Sequence, residues 1–494
     1  MINVFNINHT FDYETEKLIG IFFPFEKIKI FHELTDETEG IFCLLKNEGG
    51  KYSAEVNVNI SNKKSSYNDN VTESFFDIKK ECEITICSLL YKALGDITGY
   101  SSGWGILTGI RPAKLFLKLS EQFSFEEAER IFKDKFSVSD KKISLIKETV
   151  KSEEKIIALS KDNSYSLYIS IPFCPSRCSY CSFVSHSIEK AADIMPEYVL
   201  LLCEELKQTA EIAKKFNLRL ETVYIGGGTP TTLSPELLER VLRTVENNFD
   251  FSYLREFTVE AGRPDTITEE KLKVLKNHSV SRISINPQTM NDKVLEIIGR
   301  KHSSAETVEA FKLARKLGFD NINMDLIAGL EGDTLKSFEE TLDKVIALDP
   351  ESITVHSLSY KRASFITKDK TFKNSLNENE AGEMVDMARE KLEKNGIIPY
   401  YMYRQSKTVG NLENVGYAKK GCECLYNVFI MDETHSIFAA GASAVTKLRE
   451  PDGNLIERIF NFKYPYEYIT RFDEQISRKE RAISFYDKFS KSDK

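Results

Sequence analysis

Between about 167 and 395 the chain alternates two patterns. Short apolar runs rich in β-branched residues, at 167–171, 222–225, 256–260, 282–285, 321–327 and 352–357, have the length and composition of strands. Between them, at 198–216, 235–247, 269–276, 305–317 and 335–348, apolar residues recur every three to four positions, which predicts amphipathic helices. Ser234-Pro235 reads as a cap followed by a proline at the first helical position, and Ser303 with Glu306 reads as a capping box. Six βα units in succession imply an α/β fold. Its parallel sheet has right-handed crossovers, is open or curled into a partial (β/α)6 barrel, and takes its ligand at the carboxyl ends of the strands.

Ahead of this region the pattern is that of a separate α+β unit. Strand-like runs at 28–31, 40–45 and 52–60, with a Gly49-Gly50 turn between the last two, precede helical patterns near 75–94, 125–136 and 139–159. The polar stretch 61–70 reads as an exposed loop. Gly103-Trp-Gly-Ile-Leu-Thr-Gly-Ile-Arg-Pro112 holds the only tryptophan, and its glycines and proline predict a bent, closely packed passage. Beyond Tyr400 the chain turns irregular and aromatic, which suggests a smaller third unit packed on the core. The expected division is an accessory domain at 1–160, the core at 161–398 and a small carboxyl-terminal domain at 399–494.

Length and charge narrow the class. A chain of 494 residues exceeds one ordinary core, and 41% apolar with 29% charged residues excludes a disordered or collagen-like chain. A net charge of −8 lacks a strongly basic footprint, so no nucleic-acid partner is expected. No apolar run is long enough for a membrane span, and the first twenty residues have no apolar signal core, so a cytoplasmic location is expected. Nine cysteines are too few for a disulfide scaffold of this size.

Three of those cysteines decide the chemistry. Strand one runs into Ile171-Pro-Phe-Cys174-Pro-Ser-Arg-Cys178-Ser-Tyr-Cys181, a C-x3-C-x2-C spacing that lets three thiolates converge on one metal centre. Structural zinc, the bland alternative, wants a fourth tight ligand, and none follows at finger spacing. Three thiolates on a 4Fe–4S cubane leave one iron open for a substrate or cofactor. The other strand ends carry suitable partners. Gly226-Gly-Gly-Thr-Pro230 allows close backbone approach, with exposed N–H groups to hold a carboxylate or amine, or else is a plain tight turn. Glu260, Gln288 and Asp325 could accept from an ammonium or ribose hydroxyls, and Arg300 could pair with a carboxylate in a fork. Each of these, taken singly, is equally readable as a structural polar residue. His356 faces the expected mouth, and Cys422 with Cys424 and Tyr426 is either a metal or haem ligand set or an inert pair.

The cysteine spacing resembles the radical S-adenosylmethionine (SAM) superfamily. Tyr168-Ile-Ser-Ile-Pro-Phe-Cys174, Tyr224-Ile-Gly-Gly-Gly-Thr-Pro230, Glu260-Ala-Gly-Arg-Pro264, Arg282-Ile-Ser-Ile-Asn-Pro-Gln288, Arg300 and Met324-Asp-Leu-Ile-Ala-Gly-Leu330 are similar to the oxygen-independent coproporphyrinogen III oxidase (HemN-like) group. The 103–112 segment, Tyr403-Arg-Gln405 and Glu413-Asn-Val-Gly-Tyr-Ala418 look most like its HemZ-type branch. The resemblance implies a 4Fe–4S cluster on Cys174, Cys178 and Cys181, with SAM chelating the open iron. It implies SAM contacts from Gly227, Gly228 and Thr229, with Tyr168 and Tyr180 beside SAM and Glu260, Gln288, Arg300 and Asp325 completing the set. It further implies a monomer that oxidatively decarboxylates a tetrapyrrole, coproporphyrinogen III to protoporphyrinogen IX, with electrons from a flavodoxin or ferredoxin. Arg404 is a candidate partner for the substrate's carboxylates. Phe183, two residues after Cys181, replaces the fourth cysteine of the better-known oxidases and also occurs in related haem chaperones, whose His-Asn-x-x-Tyr-Trp segment is absent here. A haem-trafficking protein is therefore the alternative, with a radical methyltransferase or ring-opening enzyme acting on haem as a third reading.

Overall fold

The computed structural model describes residues 1–109, 111–183, 185–360, 378–405, 407–451, 453 and 455–490. Strands β1 (Ile2–Ile7), β2 (Ile28–Phe31), β3 (Gly40–Glu48), β4 (Lys51–Ile60) and β5 (Lys63–Asn70) form an amino-terminal sheet in the order β2-β1-β3-β4-β5. Helices Asp12–Phe22 and Ile78–Thr98 share with it a core that includes Leu18, Val56 and Leu90. The stretch expected as a loop at 61–70 is instead the edge strand β5. Ser61 and Asn62, at φ 52° and 66°, make a two-residue turn that returns the chain antiparallel to β4. Both faces of β5 are largely exposed, so its sequence carries no apolar alternation.

Strand β6 (Ser164–Ile171) begins the second sheet. The short pair β7 (Phe173–Cys174) and β8 (His186–Ser187) follows. Strands β9 (Arg219–Gly227), β10 (Glu256–Gly262), β11 (Arg282–Ile285), β12 (Ile322–Ala328) and β13 (Ser352–Ser357) then lie beside β6, parallel and in sequence order. Helices Met195–Lys215, Pro235–Asn248, Glu269–Asn277, Ser304–Lys316 and Leu335–Ala347 connect them. The expected punctuation is present: Ser234 accepts from Leu237 N–H, and Ser303 with Glu306 forms a capping box.

Residues beyond 398, expected to be irregular, extend both edges of this same sheet. Strands β14 (Ile398–Arg404) and β15 (Glu413–Ala418) add antiparallel beside β13. On the other edge β16 (Ser436–Ala440) pairs parallel with β6 and is followed by antiparallel β17 (Val445–Arg449) and β18 (Ile456–Phe460). The result is an 11-stranded sheet. Side chains from β6, β10, β12, β13, β14 and β17 all border one interior cavity, so the sheet curls as a partial barrel. Helices Pro112–Gln122 and Asp140–Ile157 contribute Phe116, Ile143 and Ile146 to this core, together with Leu167 and Val223, and not to that of the amino-terminal sheet.

Candidate functional site

Strand β6 delivers the cysteine loop to the carboxyl end of the sheet. Pairing of Phe173 with His186 and of Cys174 with Ser187 closes the loop that holds Cys174, Cys178 and Cys181. The glycine run at the end of β9 is pressed against it. A Cβ on Gly228 would lie 2.5 Å from the Phe173 carbonyl oxygen and 2.8 Å from that of Ile171, so only glycine fits. The Gly228 and Thr229 N–H groups donate to the carbonyls of Ile171, at 2.8 Å, and Phe173, at 2.7 Å. Those amides are therefore not exposed for a ligand, contrary to the sequence expectation: they lock the cysteine loop onto β9. Thr229 Oγ1 lies 3.7 Å from Cys174 Sγ.

Every residue assigned from the sequence to the cluster or to SAM borders one cavity of about 670 Å³: the three cysteines, Tyr168, Tyr180, Gly227, Gly228, Thr229, Glu260, Gln288, Arg300 and Asp325. Tyr224 donates to Glu260 Oε1 at 2.6 Å. Burial pushes the Glu260 carboxyl up to about 7, against the pull of that hydrogen bond, with the neighbouring Asp325 charge adding to the rise. Asp325 sits mid-strand, opposite Thr354, and not at the end of β12 as expected. Burial would raise its carboxyl, yet His356, Asn323 and Thr354 together hold it below the ordinary value. His356 Nε2 lies 3.8 Å from Asp325 Oδ2. Gln288 is held at φ 67°, its N–H on the Asp325 carbonyl at 2.9 Å and its carbonyl accepting from Ile327 at 3.0 Å. A non-glycine residue in the left-handed region is a strained position of the kind found at functional sites.

The cations divide by role. Arg300 donates to the Asn286 carbonyl at 2.8 Å and to Tyr180 Oη at 3.2 Å, while its buried Nε has no partner among the described residues. Arg263, in the Glu260–Pro264 segment, pairs with Asp265 at 2.9 Å and brings Nη1 to 3.8 Å from Cys178 Sγ. Arg404 is not a substrate partner. It is buried away from the cavity, donates to the carbonyls of Leu107, Gly109 and Asn411, and lies over the Trp104 ring at 5.0 Å. Cys424 is likewise occupied: its thiol donates to Glu256 at 3.3 Å, and that carboxylate also takes the N–H of Leu425 at the start of helix Leu425–Asp432.

Four further tyrosines join Tyr168 in an aromatic wall. Tyr168, Tyr224 and Tyr426 stack with ring centres 4.6 to 6.3 Å apart, and Tyr401 stacks on Tyr403 at 6.2 Å. All five rings border the cavity. Alternation along β14 places Tyr401 and Tyr403 on one face, a signal present in the sequence but readable only once β14 is known to join the sheet.

Cys174, Cys178 and Cys181 all border the same cavity. Among the described residues no three His, Cys, Asp or Glu side chains are grouped to hold one metal ion. A cubane takes its thiolates on three different irons, and so requires them around one space and not around one point. Burial, with the neighbouring sulfurs of Cys178 and Cys174, pushes the Cys181 thiol up to about 11. The unpartnered Nε of Arg300, a residue that lines the same cavity as the thiols, fits an anionic and polar cofactor beside the cluster.

Residues 168–345 match the family described as the Radical SAM superfamily. The oxygen-independent coproporphyrinogen-III oxidase-like protein HemZ of Bacillus subtilis is 40% identical over 411 residues, which is 82% of this chain and 81% of that protein. The heme chaperone HemW of the same organism is 36% identical over 281 residues, 56% of this chain and 70% of that one. Among solved structures, coproporphyrinogen III oxidase (HemN) of Escherichia coli superposes with a TM-score of 0.51, covering 65% of this chain and 72% of that one at 20% identity, a likeness of fold.

Proposed function

The chain belongs to the radical SAM superfamily, as a HemN-like protein of the HemZ branch, and from that premise we propose that it is an oxidoreductase acting on a tetrapyrrole in the cytoplasm. The reaction is the oxidative decarboxylation of coproporphyrinogen III propionates to vinyls, giving protoporphyrinogen IX. The observation that carries the reading is the meeting of three thiols, Glu260 and Arg300 with a tyrosine-walled cavity of about 670 Å³.

Cys174, Cys178 and Cys181 would hold the 4Fe–4S cluster that members of the superfamily use. Bound there with SAM, it supplies one-electron cleavage of SAM to methionine and a 5′-deoxyadenosyl radical that abstracts a hydrogen atom. The chain's own work is placement and exclusion of water. Arg300 would pair with the methionine carboxylate, and Glu260 would accept from the ammonium or the ribose, with Tyr224 holding its carboxyl in place. Gly227, Gly228, Thr229, Tyr168, Tyr180, Gln288 and Asp325 would line the remainder. The five tyrosines offer flat faces to a macrocycle and keep the interior dry. A flavodoxin or ferredoxin would supply the electron for each SAM cleavage, and a one-electron acceptor would take the electron left on the substrate radical as carbon dioxide departs.

The test is anaerobic reconstitution followed by mass analysis after coproporphyrinogen III, SAM and a reductant are added. Deoxyadenosine formed together with loss of carbon dioxide from the tetrapyrrole is the expected result, and no deoxyadenosine with any tetrapyrrole overturns the reading. A haem-binding chaperone is the second reading, supported by the 36% identity to HemW and by Phe183, which stands 66% exposed two residues after Cys181. Tight haem binding with slow SAM turnover decides for it.

A further inference from the structure

The cavity has a second pole, remote from the thiols. Strand β17 places Lys447 opposite Ile437, and Ile437 lies at the register of Ser166 on β6. Ser166 precedes Ile171 by five residues, which puts Lys447 roughly 16 Å along the strand direction from the start of the cysteine loop. Alternation turns Val445 and Lys447 to the same inward side as Ile437, and all three border the cavity.

Lys447 is half-buried there, and among the described residues its Nζ makes no hydrogen bond or ion pair. Glu433 is the acid that faces it, and both Glu433 oxygens are engaged by Arg111, at 2.5 and 2.9 Å. Arg458 approaches Glu433 at 3.5 Å and Lys114 at 3.9 Å. Four cations thus surround one carboxylate, and of the four only Lys447 borders the cavity. Burial, with Arg111 and Arg458 close by, holds its amine below the ordinary lysine range. Its neighbours by register on the cavity side are the apolar Ile437 and Val445. A partly desolvated cation that shares one acid with three other cations is under-compensated, and an anionic group of a ligand would supply the missing charge.

We propose that Lys447 anchors a carboxylate of the tetrapyrrole at the pole of the cavity opposite the thiols, so that the macrocycle spans the tyrosine wall between them. This rests on the tetrapyrrole reading above. It makes Lys447 a specificity-determining residue, one that selects ligands bearing acidic side chains.

The test titrates the reconstituted protein with coproporphyrin III and with its uncharged tetramethyl ester, following porphyrin fluorescence. Lys447→Met should weaken binding of the acid by about tenfold, the loss of one modest charge-assisted contact. It should leave the ester unchanged, while Lys447→Arg retains the affinity for the acid. Cluster absorbance and SAM affinity of Lys447→Met should match wild type, which shows the thiol pole intact. Equal loss for acid and ester, or no loss for the acid, overturns the anchor and leaves the tetrapyrrole reading standing. A wild-type protein that binds neither porphyrin overturns the tetrapyrrole reading itself, and the anchor with it.

Discussion

The indole N–H of Trp104 donates to Glu413 Oε2 at 2.6 Å, joining residues 309 apart in the chain. Lys142 Nζ reaches the other oxygen at 2.6 Å and Asp386 at 2.9 Å, and Arg404 lies over the Trp104 ring. Glu413 opens β15, which pairs with the strand that carries His356. A fully buried carboxylate therefore clamps the passage around Trp104 and helix Asp140–Ile157 onto the sheet beside the cavity.

Removing one member of this clamp leaves a buried charge without its partner. Lys142→Met should lower stability by about 3–5 kcal/mol, and Trp104→Phe, which loses a hydrogen bond to a charged acceptor, by about 1.5–3 kcal/mol. Urea unfolding followed by circular dichroism should rank the two in that order. The double variant Lys142→Met with Glu413→Gln should recover part of the loss, because the carboxylate stranded by the first change is then neutral.

Glu153 gives the stability a pH dependence. Burial pushes its carboxyl up to about 8, with the charge of Asp432 adding and a hydrogen bond from the Met402 backbone opposing. The folded chain holds this proton more tightly than the unfolded one. Its contribution is therefore complete below the ordinary carboxyl range and is lost as pH rises through about 8. Glu153→Gln should gain about 5 kcal/mol over wild type near pH 9 and match it near pH 4, read as the difference in melting temperature at the two values.

Gly228→Ala separates packing from ligand contact. The added methyl meets the Phe173 and Ile171 carbonyls, backbone atoms that cannot swing aside, so the β7 end of the cysteine loop must move. The expected cost is about 1–3 kcal/mol, with iron and sulfide content falling well below that of wild type after reconstitution. Full cluster loading in a variant of wild-type stability would show that the glycine run does not position the cysteine loop.

The parallel core was legible because each of its strands is buried on both faces, which leaves continuous apolar runs and caps at the helix starts. The cysteine loop was legible because its spacing carries chemistry independent of fold. Strand β5 was not: Tyr67 is flanked by serine, asparagine and aspartate, and the strand exists by pairing with β4. The strands after 398 are short and split by glycine and serine, so their membership of the sheet is a long-range fact. Arg404 shows the same limit within the site. A cation between two tyrosine-rich stretches reads as a ligand contact, and only the fold turns it toward Leu107 and Gly109.

Glu260 should make SAM binding depend on pH. With its carboxyl raised to about 7 by burial, it is protonated at pH 6 and an acceptor-only carboxylate at pH 8. An ammonium or a ribose hydroxyl binds the second form, so affinity should rise with pH through 7 by about tenfold, measured by calorimetry on the reconstituted protein. Glu260→Gln should flatten this rise, and the difference between the two profiles separates Glu260 from titration of SAM's own amino group. Tyr224→Phe removes the hydrogen bond that favours the charged carboxylate. The midpoint should then move to higher pH, while Glu260 still binds SAM at the alkaline end. Identical profiles for wild type and Glu260→Gln would place SAM away from Glu260, and would leave Arg300 and the glycine run as the SAM contacts to test next.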